Sequence, residues 1–252
     1  MFSTRSSFAT VGMFLRQDVQ VRFRGLKLAA RARSEDLGYY AHTTKPETFR
    51  WFKPKPGETV VDCGSSVGLF TMQALKAGCR TYAFEPNRST FRILSCNVSA
   101  NAFKGAILVN KGLGETEGEL TLFVRENLTG TSSFDPDWEK WVAQVDNISE
   151  ERVRVTTLDA ELTQAESIDW LLVDVEGFER QLLRGARRTL QRTQRVLIEV
   201  SQGTREEVLS LLFSRGFVEV ERGSPRRTVQ YFLLERLRAE ARSGDATKQS
   251  GS

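Results

Sequence analysis

The first clear pattern along the chain is an alternation of apolar and polar positions within residues 18–29. Val19, Val21 and Phe23 are separated there by Gln20, Arg22 and Arg24. Period-two spacing predicts a short strand or hairpin. Lys45 to Arg50 with Trp51-Phe52 reads as a short helix, stopped by the prolyl turn Lys53-Pro54-Lys55-Pro56-Gly57. From there short apolar runs alternate with helical patterns. Strands are predicted over 59–63, 81–84, 106–109, 169–174 and 196–200, and helices over 67–76, 90–100, 178–190 and 204–214. The rhythm breaks between Gly112 and Thr157. Leu120, Leu122 and Val124 alternate with polar residues, as do Val153 and Val155, which predicts an inserted β segment. Runs at 217–220 and 229–234 predict a closing antiparallel hairpin.

Strands alternating with helices imply an α/β fold with a doubly wound, mostly parallel sheet. The closing hairpin suits seven strands better than an even, two-halved dinucleotide sheet. The expected organisation is an N-terminal extension over 1–50 and a body over 51–238 interrupted at about 112–157. A tail over 239–252 lacks periodicity and is expected to be disordered.

Composition narrows the classes. At 252 residues with 40% hydrophobic and 27% charged content, the chain can bury a sizeable core. A net charge of +4 is too slight to imply a nucleic-acid partner. The first 35 residues carry seven Arg or Lys against Asp18 and Glu35, which fits a solvated surface on a cytoplasmic protein. Organellar targeting is the secondary reading of that Arg- and Ser-bearing start. Cys63, Cys79 and Cys96 are odd in number and lack Cys-x-x-Cys spacing, so reduced thiols are expected. No apolar run approaches the roughly 18 residues that span a membrane.

The chemistry concentrates at strand ends. Trp170 to Val173 delivers Asp174 and Glu176 to the end of a strand, and Gly177 lets a helix begin. In open α/β sheets that is where ligands bind. The segment Val60-Val61-Asp62-Cys63-Gly64-Ser65-Ser66-Val67-Gly68 repeats the strand-then-glycine design, with a helix N-terminus pointing into the same space. Glu85 closes the next strand, 21 residues after Gly64, where an acid can accept both hydroxyls of a ribose. A dinucleotide loop wants Gly-x-Gly-x-x-Gly, but Ser66 stands at the middle position here. The Gly-x-x-x-Gly spacing and the acidic Asp62 favour S-adenosylmethionine, which has no phosphate, over NAD. Asp174 and Glu176 then face the acceptor, where one of them could take a proton from a hydroxyl. Plainer readings stand beside this one: Asp174 capping the following helix, Glu176 in solvent, or both joining Asp159 around magnesium. His42, the sole histidine, is a further candidate base. Arg180, Arg184, Arg187, Arg188, Arg192 and Arg195 read as a solvated basic face.

Taken together these residues resemble the FkbM family of S-adenosylmethionine-dependent methyltransferases, from about Glu47 to Val200. The similarity rests on the Asp62–Gly68 loop, Phe84-Glu85-Pro86-Asn87, Asn97 with Asn101, and Thr157-Leu158-Asp159. Above all it rests on Asp174-Val175-Glu176-Gly177-Phe178-Glu179 with Leu183-Arg184-Gly185-Ala186, followed by Ile198-Glu199-Val200. The resemblance implies a Rossmann-like class I methyltransferase fold and transfer to hydroxyls of sugars or other small molecules. By the family pattern Asp62, Gly64, Gly68 and Glu85 line the cofactor site. Glu47, Cys63, Ser66, Pro86, Asn87, Asn110 and Asp174 are the neighbouring candidates. An NAD-dependent oxidoreductase and a non-catalytic cofactor- or RNA-binding relative remain the alternatives.

Overall fold

The computed structural model describes residues 14–42, 50–125, 130–135, 148–224 and 229–237. The expected disordered tail, Glu47 and most of the 45–50 helix lie outside these residues, and of His42 only the backbone is described. The chain opens with an antiparallel hairpin, β1 (Val19–Phe23) and β2 (Leu26–Ala30), then a helix at Asp36–His42. β3 (Thr59–Cys63), β4 (Arg80–Phe84) and β5 (Ala106–Val109) are linked by helices at Leu69–Lys76 and Arg88–Ala100. Next come β6 (Gly112–Leu113), β7 (Gly118–Arg125) and β8 (Ile148–Thr156), and a short helix at Leu158–Glu161. β9 (Ile168–Val173) and β10 (Thr193–Ser201) follow, and the helix Arg205–Phe213 leads to β11 (Phe217–Arg222) and β12 (Val229–Arg236).

Seven strands form one sheet in the order β11-β12-β10-β9-β3-β4-β5. β3 and β9 are its centre, and both are buried on the two faces, as strands covered by helices are. β12 runs against both its neighbours, so β11 is parallel to the remaining five strands. After β3 the chain winds to one side, and it returns at β9 to wind to the other. The switch point therefore lies between the carboxyl ends of β3 and β9. The 112–157 insertion builds a separate sheet in the order β6-β8-β7. Among the described residues no helix is long and apolar enough to cross a membrane.

One predicted helix is broken. The 178–190 pattern yields Glu179–Arg184 and Arg187–Gln191. A Cβ on Gly185 would sit 2.0 Å from the Gly114 carbonyl oxygen, so the backbone presses against the insertion there. Asp159 receives the start of the second piece, accepting from Arg188 N (2.9 Å) and Thr189 N (2.7 Å). Burial pushes the Asp159 carboxyl up, but these donors outweigh it and hold it below the usual range. Asp159 is thus a helix cap and not a partner of Asp174. The arginines of this region mostly meet acids or carbonyls: Arg180 and Arg184 pair with Glu207, and Arg195 with Glu58.

The N-terminal hairpin is fastened to the body by two asparagines. Buried Asn97 accepts from Ala29 N and donates to Val67 O (2.8 Å) and the Tyr40 hydroxyl (3.1 Å). Asn101 brackets Lys27, accepting from its N–H and donating to its carbonyl. Asn97→Ala would strand several buried polar groups, each worth about 1–3 kcal/mol when unpaired. A loss of about 3 kcal/mol in urea unfolding is expected. A loss below about 0.5 kcal/mol would mean water replaces the amide.

Candidate functional site

β3 ends in a turn that a side chain would obstruct. Gly64 has φ +78, and a Cβ there would lie 1.8 Å from the Asp174 carbonyl oxygen. Asp174 N donates to Cys63 O at 3.0 Å, so the loops after β3 and β9 touch backbone to backbone. Gly64 N and Ser65 N both donate to Phe84 O, which draws the end of β4 to the same point. Gly68 serves a different contact. It precedes the helix Leu69–Lys76 with φ +91, and its Cβ position is 2.4 Å from Leu94 Cδ1, so it admits the next helix. The Cys63 side chain is fully buried in the core, and burial pushes its thiol well up.

Glu85, 6% exposed, is held from two sides. Its Oε2 accepts from Ser66 N and its Oε1 from Asn87 N, both at 2.9 Å. Ser66 reaches this geometry with φ +51. A carboxylate has about four acceptor sites, so each oxygen keeps a lone pair for a ligand hydroxyl. Burial raises the Glu85 carboxyl to about 7, against the backbone donors that favour its charge. Asn87 caps the helix Arg88–Ala100 by accepting from Thr90 N at 2.8 Å. Asn110 Nδ2 donates to Glu85 O and Pro86 O, fixing the turn rather than opening onto it.

Across the Gly64 contact sits an acid cluster. Asp174, Glu176 and Glu199 bring carboxylate oxygens within 4.8 Å of one another. The Tyr231 hydroxyl donates to Asp174 Oδ2 at 3.0 Å. Burial raises the Asp174 carboxyl, opposed by hydrogen bonds from Glu199 and Tyr231. Glu179, 1% exposed, accepts from Gly177 N, and burial lifts it to about 7. Glu176 has φ +50, and its carbonyl accepts from Ser133 Oγ at 2.6 Å. Through that bond and the Phe134–Phe178 ring contact at 5.2 Å, residues 130–135 of the insertion close over the site. Tyr39 comes from the N-terminal extension, 2.9 Å from the Cβ position of Gly130.

The resulting cleft lies where the ends of β3, β4 and β9 meet and opens to solvent at its mouth. Gly64, Ser66, Glu85, Pro86, Asp174 and Glu176 all line it. Tyr39, Lys111, Leu113, Phe134 and Phe178 also line it. Asp62 lies instead on a smaller adjoining cavity with Tyr39, Asp174 and Tyr231. There it accepts from Thr71 Oγ1, and burial raises it to about 6. Tyr39, Glu199 and Tyr231 line or adjoin the site without being among the candidates that the sequence offers. Glu199 had a signal, being a lone acid inside the apolar run Val196–Val200. Tyr39 and Tyr231 had none, because only the fold carries them to the β9 end.

The sequence and fold are similar to those of known methyltransferases. Methyltransferase sdnD of Sordaria araneosa is 28% identical over 194 residues, covering 63% of this chain and 73% of that protein. Methyltransferase 1 of Beauveria bassiana is 27% identical over 190 residues, covering 67% of this chain and 76% of that protein. Among solved structures, magnesium protoporphyrin IX methyltransferase from Synechocystis PCC 6803, with bound SAM, superposes with a TM-score of 0.50. It is 13% identical, over 92% of this chain and 95% of that one. Trm5b of Pyrococcus abyssi gives a TM-score of 0.50 at 12% identity over 87% of this chain, which spans 56% of the Trm5b chain. At such identities the likeness is one of fold. The Methyltransferase FkbM domain itself matches residues 62–219, more than half of the sequence, and the chain therefore belongs to the FkbM methyltransferase family.

Proposed function

We propose that the protein transfers a methyl group from S-adenosylmethionine to a hydroxyl of a small molecule or glycan. The observation that carries this reading is the placement of buried Glu85 and half-buried Asp174 on one cleft joined through Gly64. The donor set suits a nucleoside without phosphates. Glu85 keeps lone pairs for the two ribose hydroxyls, and Pro86, Lys111 and Leu113 flank it on the cleft wall. The sulfonium cofactor supplies an electrophilic methyl carbon. Positioning is then most of the catalytic task, since the displacement is in line. Asp174 lines the cleft, where its carboxylate would take the proton of an acceptor hydroxyl as that oxygen received the methyl group. Such general-base help is worth roughly 10²- to 10⁴-fold. The 130–135 segment, tied to Glu176 and Phe178, keeps bulk water from the reacting atoms.

The test is calorimetry with S-adenosylhomocysteine. Binding is expected in the wild type and about 10- to 100-fold weaker in Glu85→Ala, from lost hydrogen bonds to a charged acceptor. No heat at millimolar ligand would sink the reading, as would saturable binding of NADH in its place.

A further inference from the structure

The ends of three adjacent strands place three ionisable side chains in one row. In the β9–β10 register Val173 faces Ile198, so Asp174 and Glu199 are the next neighbours outward. On the other flank of β10, Glu199 faces Tyr231 of β12. The three differ in exposure to ligand. Asp174 lines the main cleft, Tyr231 lines the small cavity behind it, and Glu199 is 8% exposed.

We propose that Glu199 and Tyr231 are positioning residues for Asp174: the row keeps one shared proton on its buried Glu199 side and presents Asp174 to the cleft as the carboxylate. The inference rests on the reading of Asp174 as the acceptor-side base and says how that base is held. Two carboxylates in hydrogen-bond contact cannot both stay ionised. The proton remains on the member whose charge is costlier to bury. Burial and the neighbouring Asp174 charge both push the Glu199 carboxyl well above its usual value. The Glu199 O–H and the Tyr231 O–H then both donate to Asp174, fixing its plane with two charge-assisted hydrogen bonds. When Asp174 accepts a proton, the pair holds two.

Asp174 needs these donors because its surroundings are otherwise acidic or phenolic. Asp62 approaches from β3, Glu176 and Glu179 from its own loop and helix, and Tyr39 from the N-terminal helix. Lys111 lines the same cleft but pairs with Glu161 at 2.6 Å.

The experiment is a carboxyl ¹³C NMR titration of the full chain without ligand. In the wild type Asp174 and Glu199 are expected to titrate together in two separated steps. Tyr231→Phe removes a donor to the ionised form, so the lower step moves up by about one pH unit. Glu199→Gln keeps an N–H donor but has no proton to lose, so the upper step disappears and Asp174 titrates alone. Independent single titrations in the wild type, or a lower step unmoved by Tyr231→Phe, would overturn the proposal. So would a saturable shift of both signals on adding millimolar magnesium, which would put a cation where the proton is assigned. Because the titration needs no ligand, its failure is separable from failure of S-adenosylhomocysteine to bind.

Discussion

Gly64→Ala is expected to be the most damaging single-methyl change in the described body of the protein. The added carbon would lie 1.8 Å from the Asp174 carbonyl oxygen and 2.9 Å from its carbon, both backbone atoms that no rotamer change can move. The φ of +78 adds conformational strain for any residue with a Cβ. Left-handed backbone costs about 1–2 kcal/mol and overpacking about 1–3 kcal/mol, so a loss of about 2–5 kcal/mol is expected. Gly57→Ala is the internal control. Its φ is +83, but nothing lies within 4 Å of the Cβ position, so strain of about 1–2 kcal/mol is the whole effect. Urea unfolding of both variants decides the matter. Equal losses would show that the contact between the two loops is not what Gly64 is for. The functional consequence follows from the same contact. Under the proposed function, parting the Gly64 and Asp174 loops separates the nucleoside side of the cleft from its acceptor side, and S-adenosylhomocysteine binding is expected to fall with stability.

Much of this arrangement was legible because local signals and tertiary demands agree. β3 and β5 match their predicted limits, bounded by Gly57 and Gly64 in one case and Gly105 and Asn110 in the other. The split helix after β9 was not legible. Its apolar stripe is continuous through Ala186 and Leu190, and the break at Gly185 comes from the Gly114 carbonyl across the chain. Asp62 illustrates a subtler limit. Strand alternation says that it leaves the sheet on the face opposite to Cys63, yet not which side of the Gly64 turn its carboxylate will occupy. The structure puts it against Thr71, behind the main cleft. Tyr39 becomes a site residue only because Asn97 and Asn101 hold the hairpin before it in place. Glu199 and Tyr231 meet through a register that joins residues more than thirty positions apart. No periodicity within either strand encodes that meeting.

Asp174→Asn is expected to separate turnover from binding. Asparagine has almost the same shape, its amide oxygen still accepts from Tyr231, and it cannot take a proton. Release of S-adenosylhomocysteine from S-adenosylmethionine, screened against a panel of hydroxylated small molecules and glycans, is expected to drop by about 10²- to 10⁴-fold. Affinity for S-adenosylhomocysteine should change by less than about threefold, because the proposed function gives the ribose hydroxyls to Glu85 and a neutral amide leaves the Gly64 turn unstrained. The companion change Glu176→Gln tests the other carboxylate. The Glu176 carbonyl, not its side chain, accepts from Ser133, so that tie survives the substitution. If Asp174 is the base, Glu176→Gln should cost far less than Asp174→Asn. The reverse order would move the proton to Glu176. Unchanged turnover in both variants would reject a carboxylate base altogether and leave positioning by the Gly64 and 130–135 segments as the source of rate.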